Sequence, residues 1–163
     1  LAKLQTLAIG RGRLRSLQGI DHMPELQTVS IGDLRSFDSI DEIYRLKSIR
    51  RIWLNDLPRL NGTLELRRFD GLESVNVVNT PLLTDLADIG IHQNLEVVWL
   101  NGPAANLDWD ELLAIESLRK VGIVDVDADD LPINELAERT GRNIESSKVV
   151  GPKTRRQIQL NLG

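Results

Sequence analysis

The stretch DVDADD, with Asp125, Asp127, Asp129 and Asp130, is the densest group of potential cation ligands in this 163-residue chain. A calcium loop of the EF-hand type needs glycine at its sixth position and a bidentate glutamate at its twelfth. Counted from Asp125, those positions hold Asp130 and Leu136. We therefore expect a solvated acidic loop, in which one aspartate caps the following helix. An enzyme that uses a metal held by these aspartates is the least favoured alternative.

The remaining groups with catalytic potential are scattered. The two histidines, His22 and His92, each precede a predicted strand, and three strand spacings place them about 14 Å apart. We expect both to be exposed turn residues, too distant for a shared metal or a catalytic dyad. The lack of cysteine excludes disulfides, thiolate ligands and thiol catalysis. No phosphate-binding glycine loop, nucleophile elbow or H-E-x-x-H motif occurs. The sequence thus predicts a non-enzymatic protein without cofactor or metal.

A pattern of the form L-x-x-L-x-L, with Ile or Val allowed, recurs along almost the whole chain. Its copies begin at residues 4, 26, 49, 72, 95 and 118, so the steps are 22, 23, 23, 23 and 23. A degenerate seventh copy begins at Ile144, after a step of 26. The last two apolar positions of each copy alternate with another residue, as in a short strand with one buried face. One such unit cannot bury its apolar side alone, whereas stacked units share a core.

This pattern resembles that of the leucine-rich repeat family, in its class of short 22–23-residue repeats. The resemblance implies an α/β solenoid that forms one domain over residues 1–163. A parallel β-sheet would line its concave face, and 3₁₀, irregular or short helical returns would form its convex face. The resemblance also implies protein–protein recognition in general, without naming a partner.

The chain departs from the family at the turn after each strand. Many members carry Asn or Cys three residues after the motif, where it bonds the backbone of the turn. Here those positions hold Gly12, Leu34, Leu57, Thr80, Pro103 and Val126. We expect the turns to satisfy their backbone groups in another way, with Asn55, Asn79 and Asn101 as partial substitutes.

The segments between the copies predict two kinds of return. Apolar residues recur at every third position from Leu34 to Leu46, which suits 3₁₀ or irregular turns. Asp108 and Glu111 form a candidate capping box for a helix over 108–116, and a proline and a glycine bound a second helix over 131–141.

The two ends of the repeat array raise different expectations. The alternating tail RRQIQLNLG predicts a terminal strand that covers the end of the solenoid, so residues 144–163 are predicted to form a C-terminal cap. The first copy begins within four residues of Leu1. We expect a cap or further repeats to precede it.

The residue between the last two apolar positions of each copy points out of the concave face. In the third and fifth copies this residue is Trp53 and Trp99, with Asn76 between them, and the two indoles would lie about 10 Å apart. The rest of this column holds Ala8, Ser30, Gly122 and, in the seventh copy, Lys148.

The predicted partner site combines these side chains with the flanking columns. It comprises Arg51, Trp53, Asn55, Ser74, Asn76, Val97, Trp99, Asn101 and Lys120. Trp and Arg are enriched in binding hot spots, and Asn offers adaptable hydrogen bonds. The alternative is that the indoles only cover the sheet, by packing on Arg51 and on each other. Trp109 differs, because it begins a helical return and is expected to pack on the rim of the core.

Charge and hydropathy narrow the range of partners. The net charge is −4, with 12 Lys and Arg against 9 Asp and Glu in residues 1–70, and 8 against 15 in residues 71–163. This uneven distribution of charge would orient a charged protein partner as it approaches. The net negative charge argues against nucleic-acid binding. There is no apolar run of about 18 residues and no signal-peptide pattern. We expect a cytoplasmic monomer that does not enter membranes.

These features predict a non-enzymatic protein-interaction module that binds a protein partner on its concave sheet. Short irregular repeats, small size and the lack of cysteine favour a bacterial inhibitor or immunity-type protein. The alternative is a recognition or adaptor fragment of a larger multidomain protein, such as a receptor, a ligase arm or an effector.

Overall fold

The computed structural model describes residues 3–101, 108–124, 133–142, 144–150 and 156–163. Its strands are β1 (Thr6–Gly10), β2 (Thr28–Gly32), β3 (Arg51–Asn55), β4 (Asn61–Glu65), β5 (Ser74–Val78), β6 (Leu82–Ala87), β7 (Val97–Asn101), β8 (Lys120–Val124), β9 (Ile144–Val150) and β10 (Arg156–Leu162). Its helices are α1 (Trp109–Leu113) and α2 (Ile133–Thr140). Single 3₁₀ turns lie at Ile20–His22, Ile43–Arg45, Leu66–Arg68 and Ile89–Ile91.

The described strands form one large and one small sheet. The eight-stranded sheet has the order β1-β2-β3-β5-β7-β8-β10-β9, and β1 to β8 within it are parallel. Strands β4 and β6 form a separate parallel pair. The described chain is therefore mostly parallel sheet with a few short helices, an α/β-type arrangement. None of the described helices has the length and apolar character needed to cross a membrane.

The register of the large sheet matches equivalent positions of successive copies. Trp53 pairs with Asn76, Asn76 with Trp99, and Trp99 with Gly122. The two inward positions of each copy are at most 6% exposed from β2 through β8. Because side chains alternate along a strand, burial of these positions leaves the residue between them on the opposite side of the sheet. The predicted columns are thus confirmed for the first six copies.

The returns contain 3₁₀ turns, as the recurrence of apolar residues at every third position predicts. The four 3₁₀ turns start at residues 20, 43, 66 and 89, and each buries its first side chain. The apolar residues at every third position from Leu34 to Leu46 are also buried. The pairing of β4 with β6 was not anticipated. In this pair Leu64 and Leu86 are buried, so the short sheet contributes to the core from the side of the returns.

In the turns after the strands, backbone groups form hydrogen bonds with backbone groups of the next copy. Arg11, Asp33, Asp56 and Asn79 each follow a strand directly and have φ between 52° and 57°. The Asp33 N–H donates to the Asn55 carbonyl at 3.2 Å, and the Asp56 N–H donates to the Val78 carbonyl at 3.0 Å. The hydrogen-bond ladder therefore extends one residue beyond β2 and beyond β3. The Asn79 side chain adds a bond of 2.7 Å to the Asp56 carboxylate.

The C-terminal strands differ from the prediction. Strand β9, the degenerate seventh copy, does not pair with β8, because β10 lies between them and is antiparallel to both. The assignment of Lys148 to the column after Gly122 is therefore wrong, and Gln159 occupies that place. Only five residues separate β9 from β10, and a parallel crossover needs a dozen or more. The buried Leu160 and Leu162 make β10 the better neighbour for the core, which leaves β9 at the edge.

The first short helix begins after its predicted cap but ends at Leu113, three residues before the predicted end at 116, and α2 lies within the predicted range 131–141. Asp108 caps α1 by accepting bonds from the Asp110 and Glu111 N–H groups at 2.9 and 3.1 Å. Glu111 does not complete a capping box, because its carboxylate accepts from the Gly90 N–H at 2.9 Å and so ties α1 to the preceding return. Trp109 is half-buried against the core, as predicted.

His92 contradicts the expectation that both histidines are exposed turn residues. His22 is exposed, but the side chain of His92 is buried and its Nε2 donates to the Leu66 carbonyl at 3.0 Å. Burial lowers the pKa of His92, although the hydrogen bond to Leu66 and the charge of Asp88 act in the opposite direction. The neutral ring is therefore the form that the fold accommodates.

The burial of His92 should make stability depend on pH. Because its pKa is lower in the folded than in the unfolded chain, the unfolded chain binds the proton more readily. The stabilisation that comes from neutral His92 should be fully present above about pH 6.5. The free energy of unfolding should then fall as the pH decreases below that value. Urea unfolding between about pH 8 and pH 5 measures this slope. His92→Gln, which stays neutral and keeps a donor, should flatten it, whereas His22→Gln should not. An unchanged slope in His92→Gln would assign the dependence to other groups.

Candidate functional site

The candidate site lies on the side of the large sheet that faces away from the core, which we call the open face. Its central column consists of Ala8, Ser30, Trp53, Asn76, Trp99 and Gly122. Trp53 stands out because it is 43% exposed, although its neighbours Ile52 and Leu54 are buried. These two inward anchors hold β3 so that the indole must project from the open face.

Trp99 adopts a different environment from Trp53. It is half-buried, and its ring lies against the backbone of Gly122 in the neighbouring strand. A Cβ atom at residue 122 would come within 2.1 Å of the Trp99 ring, so only glycine leaves room for this arrangement. The glycine thus fixes where the second indole lies. Part of the Trp99 ring therefore packs on the sheet, and the rest of the ring remains accessible to solvent.

Asn76 lies in the strand between the two tryptophans. Its side-chain oxygen is buried and has no hydrogen-bond partner within the described residues. An unsatisfied buried polar atom costs about 1–3 kcal/mol.

Arg51 is held in place by an acidic neighbour. Its guanidinium contacts one Glu73 oxygen at 2.7 Å, and Arg50 contacts the other at 3.0 Å. The Arg51 side chain stays about half exposed, so the pair contributes little to stability. Arg51 lies two residues before Trp53 in the same strand.

The alternative in which the indoles pack on Arg51 and on each other finds little support. Among the described residues, the ring pair is Tyr44 with Phe69, at 5.6 Å, and the arginine over a ring is Arg68 over Tyr44. Trp99 instead packs on Gly122. The indole of Trp53 is therefore exposed without a stacking partner of this kind in the described part of the chain.

The pairing register places the predicted site residues on four adjacent strands. Arg51, Ser74, Val97 and Lys120 form one continuous row across β3, β5, β7 and β8. In the column that follows the tryptophan column, Asn55 pairs with Gly32 on one side and with Val78 on the other. The side chain of Asn101 lies outside the described residues, as does that of Lys148.

Two polar residues of this face escaped the sequence analysis. Gln159 and Asn161 of β10 pair with Gly122 and Lys120, and so extend the open face beyond the sixth copy. Their side chains bond each other at 2.8 Å. The polar–apolar alternation of the tail was the available signal. It could not be used because the tail was assigned to the far end of the array and not to the position beside β8.

A second concave feature lies away from the open face. A cavity of about 710 Å³ is lined by Asp110, Leu113, Ala114, Glu116, Arg119, Arg142 and Gly163. The Arg142 guanidinium donates to three backbone carbonyls, those of Leu113, Ile115 and Leu118, and so ties the end of α2 to the segment between α1 and β8. Burial, followed by the nearby charge of Arg119, lowers the pKa of Arg142. The bonds of Arg142 to three carbonyls indicate a structural role.

The open face offers aromatic surface and amide hydrogen-bonding groups, a combination suited to binding. Within the ranges that the structure describes, no three His, Asp or Glu side chains converge where a metal could bind. The stretch DVDADD, with Asp125, Asp127 and Asp129, lies outside those ranges. Comparison with protein-family models, curated proteins and solved structures gives no match to this chain.

Proposed function

We propose that this protein is a leucine-rich-repeat-type solenoid that binds a protein partner on the open face of its sheet and carries out no catalysis. The solenoid is supported by the 22–23-residue steps, by parallel pairing of equivalent residues and by 3₁₀ turns that recur every 23 residues. In such a fold the open face is the concave surface, which a partner can occupy along several strands at once.

The exposure of Trp53 is the observation that carries the binding proposal. Tryptophan is among the residues most enriched in binding hot spots, and Trp53 presents its indole at the centre of a sheet face. Trp99, braced by Gly122, provides a second aromatic surface two strands away, and Asn76 between them has an oxygen without a partner. A partner that places a hydrogen-bond donor between two aromatic contacts would bond the Asn76 oxygen and cover the rings of Trp53 and Trp99.

The proposed kind of partner is supported by the composition of the sequence. It contains no cysteine, and residues 71–163 carry 15 Asp and Glu against 8 Lys and Arg. We favour an inhibitor or immunity-type protein of a bacterial cytoplasm, which neutralises a protein target by covering it. The acidic half would steer the approach of a basic target.

The proposal is tested by capture and affinity measurement. Immobilised wild-type protein should capture a partner from a lysate of the source organism, and Trp53→Ala/Trp99→Ala should not. With the purified partner, Trp99→Ala should raise Kd about 30-fold, equivalent to about 2 kcal/mol. Isothermal calorimetry gives the value, and thermal unfolding verifies that each variant is folded.

Ile91→Ala is the matched control, because Ile91 is an exposed apolar residue in a 3₁₀ turn of a return. Its capture and affinity should equal those of the wild type. If both tryptophan variants bind like the wild type, the partner uses another surface and the assignment of the open face is wrong.

A further inference from the structure

The charged side chains around the open face are separated by sign along the direction of the strands. Because β1, β2, β3, β5, β7 and β8 are parallel, their first residues lie at one border of the sheet and their last residues at the opposite border. The open-face positions of these strands and of β10 include two charged residues, Arg51 and Lys120, and no carboxylate. Both cations lie in the first row, at the border where the parallel strands begin.

This starting border carries an excess of positive charge. The first residues of the six parallel strands, and the residues directly before them, include four cations and two carboxylates, which are Arg50, Arg51, Arg119, Lys120, Glu73 and Glu96. Glu73 is shared by Arg50 and Arg51, so its single charge offsets one of these two cations. Lys120 forms no salt bridge within the described residues. An anionic group of a partner would therefore be attracted to this border.

The opposite border carries negative charge close to the tryptophan column. Asp33 and Asp56 directly follow β2 and β3, and both are exposed. Asp56 accepts a bond of 2.7 Å from the neutral amide of Asn79, and neither aspartate has a salt bridge in the part of the chain that the structure describes. Arg11, in the equivalent turn after β1, is the exception in sign, and it forms no salt bridge with Asp33. A cationic group of a partner would be attracted to the two carboxylates.

Trp53 lies between the two borders. It follows Arg51 by two residues and precedes Asp56 by three, and these five steps span about 16 Å of extended chain. The indole is 43% exposed, so it is accessible from the open face. An extended segment that crosses this face along β3 would meet a cation, an aromatic ring and two carboxylates in that order.

We propose, building on the proposed function, that the open face binds an extended partner segment whose two ends carry opposite charges. Its acidic side chain would pair with Arg51, an apolar side chain would cover Trp53, and a basic side chain five positions from the acidic one would lie between Asp33 and Asp56. A segment with one sign of charge throughout would meet like charge at one of the two borders. The basic end would belong to the basic target proposed for this face, with its positive side towards the ends of the strands.

The probe is the capped peptide Glu-Ser-Leu-Ser-Ser-Arg, titrated into isotope-labelled protein while the indole N–H signal of Trp53 is followed by NMR. A second capped peptide of the same composition, Ser-Leu-Ser-Glu-Arg-Ser, places the two charges side by side. The signal is assigned by its loss in Trp53→Phe. At low salt the first peptide should bind at least about fivefold more tightly than the second, and the ratio should decrease at high salt.

Asp33→Asn/Asp56→Asn should reduce this ratio to about one, because it removes both carboxylates. Asparagine adopts positive φ readily, so the turns at these residues, with φ of 52° and 53°, should persist and the circular dichroism should match the wild type. Asp21→Asn/Glu25→Gln is the matched control, since it makes the same charge change at two exposed residues of a return. It should preserve the ratio.

Equal binding of both peptides at Trp53, or an unchanged ratio in the folded Asp33→Asn/Asp56→Asn variant, would overturn the dipolar segment and leave Trp53 as a binding residue. If neither peptide shifts the Trp53 signal, the dipolar segment is also wrong. The proposed function is decided separately, because capture from a lysate and its loss in Trp53→Ala/Trp99→Ala do not depend on the charge pattern of these peptides.

Discussion

Replacing Val98 with aspartate should unfold most of the sheet and not merely disturb one strand. Val98 is fully buried at the centre of β7, where its register partners Val75 and Val121 are also fully buried. An unpaired carboxylate cannot be hydrated there, and the cost should be about 4 kcal/mol or more. That is a large part of the 5–15 kcal/mol that stabilises a typical domain. Circular dichroism and urea unfolding should show a lost or strongly shifted transition.

Val97→Asp is the matched control for this variant. Val97 is the adjacent residue of the same strand, but it lies on the open face and pairs with Lys120 of β8. A carboxylate there remains hydrated beside an opposite charge, so its effect should stay within about 1 kcal/mol. If Val98→Asp were as stable as Val97→Asp, the inward position of Val98 would be wrong.

The strands and their register could be predicted because each copy repeats both its length and its apolar spacing. A step of 23 residues places Trp53, Asn76 and Trp99 in one column, since a slip by one residue would bury polar side chains and expose apolar ones. The C-terminal hairpin could not be predicted in the same way. Ile144 continues the apolar pattern weakly, whereas the strand beside β8 is β10, whose Leu160 and Leu162 are buried.

The candidate site was predictable as a set of positions and not as a set of contacts. The period of two places Trp53 and Trp99 on one face, but it does not distinguish an exposed indole from one that lies on Gly122. That difference arises because the neighbouring strand contributes a glycine at one position and an asparagine at the other. The burial of His92 was missed for a related reason, since its partner is the Leu66 carbonyl of another return, 26 residues earlier.

Replacing Leu160 with aspartate should release the C-terminal hairpin and expose the edge of β8. Leu160 is fully buried in β10 and pairs with Val121, so the hairpin is fixed to the core through this contact. Losing its packing costs about 2–5 kcal/mol, and the buried charge adds to that cost. In an array of stacked units, coupling acts mainly between neighbours. Hydrogen exchange should therefore increase first in β8, β9 and β10, and later in β2 and β3.

Gln159→Asp provides the matched control, because the preceding residue of the same strand is half-buried on the open face opposite Gly122. It should leave both the urea midpoint and the exchange pattern close to those of the wild type. The uncovered β8 edge in Leu160→Asp should also promote association, visible in sedimentation as concentration-dependent oligomers. A monomeric Leu160→Asp protein with wild-type exchange in β8 would show that β10 does not cover that edge. A uniform loss of protection against hydrogen exchange from β1 to β10 would instead show that the hairpin and the central strands unfold as one unit. Val98 and Leu160 would then belong to the same cooperative core.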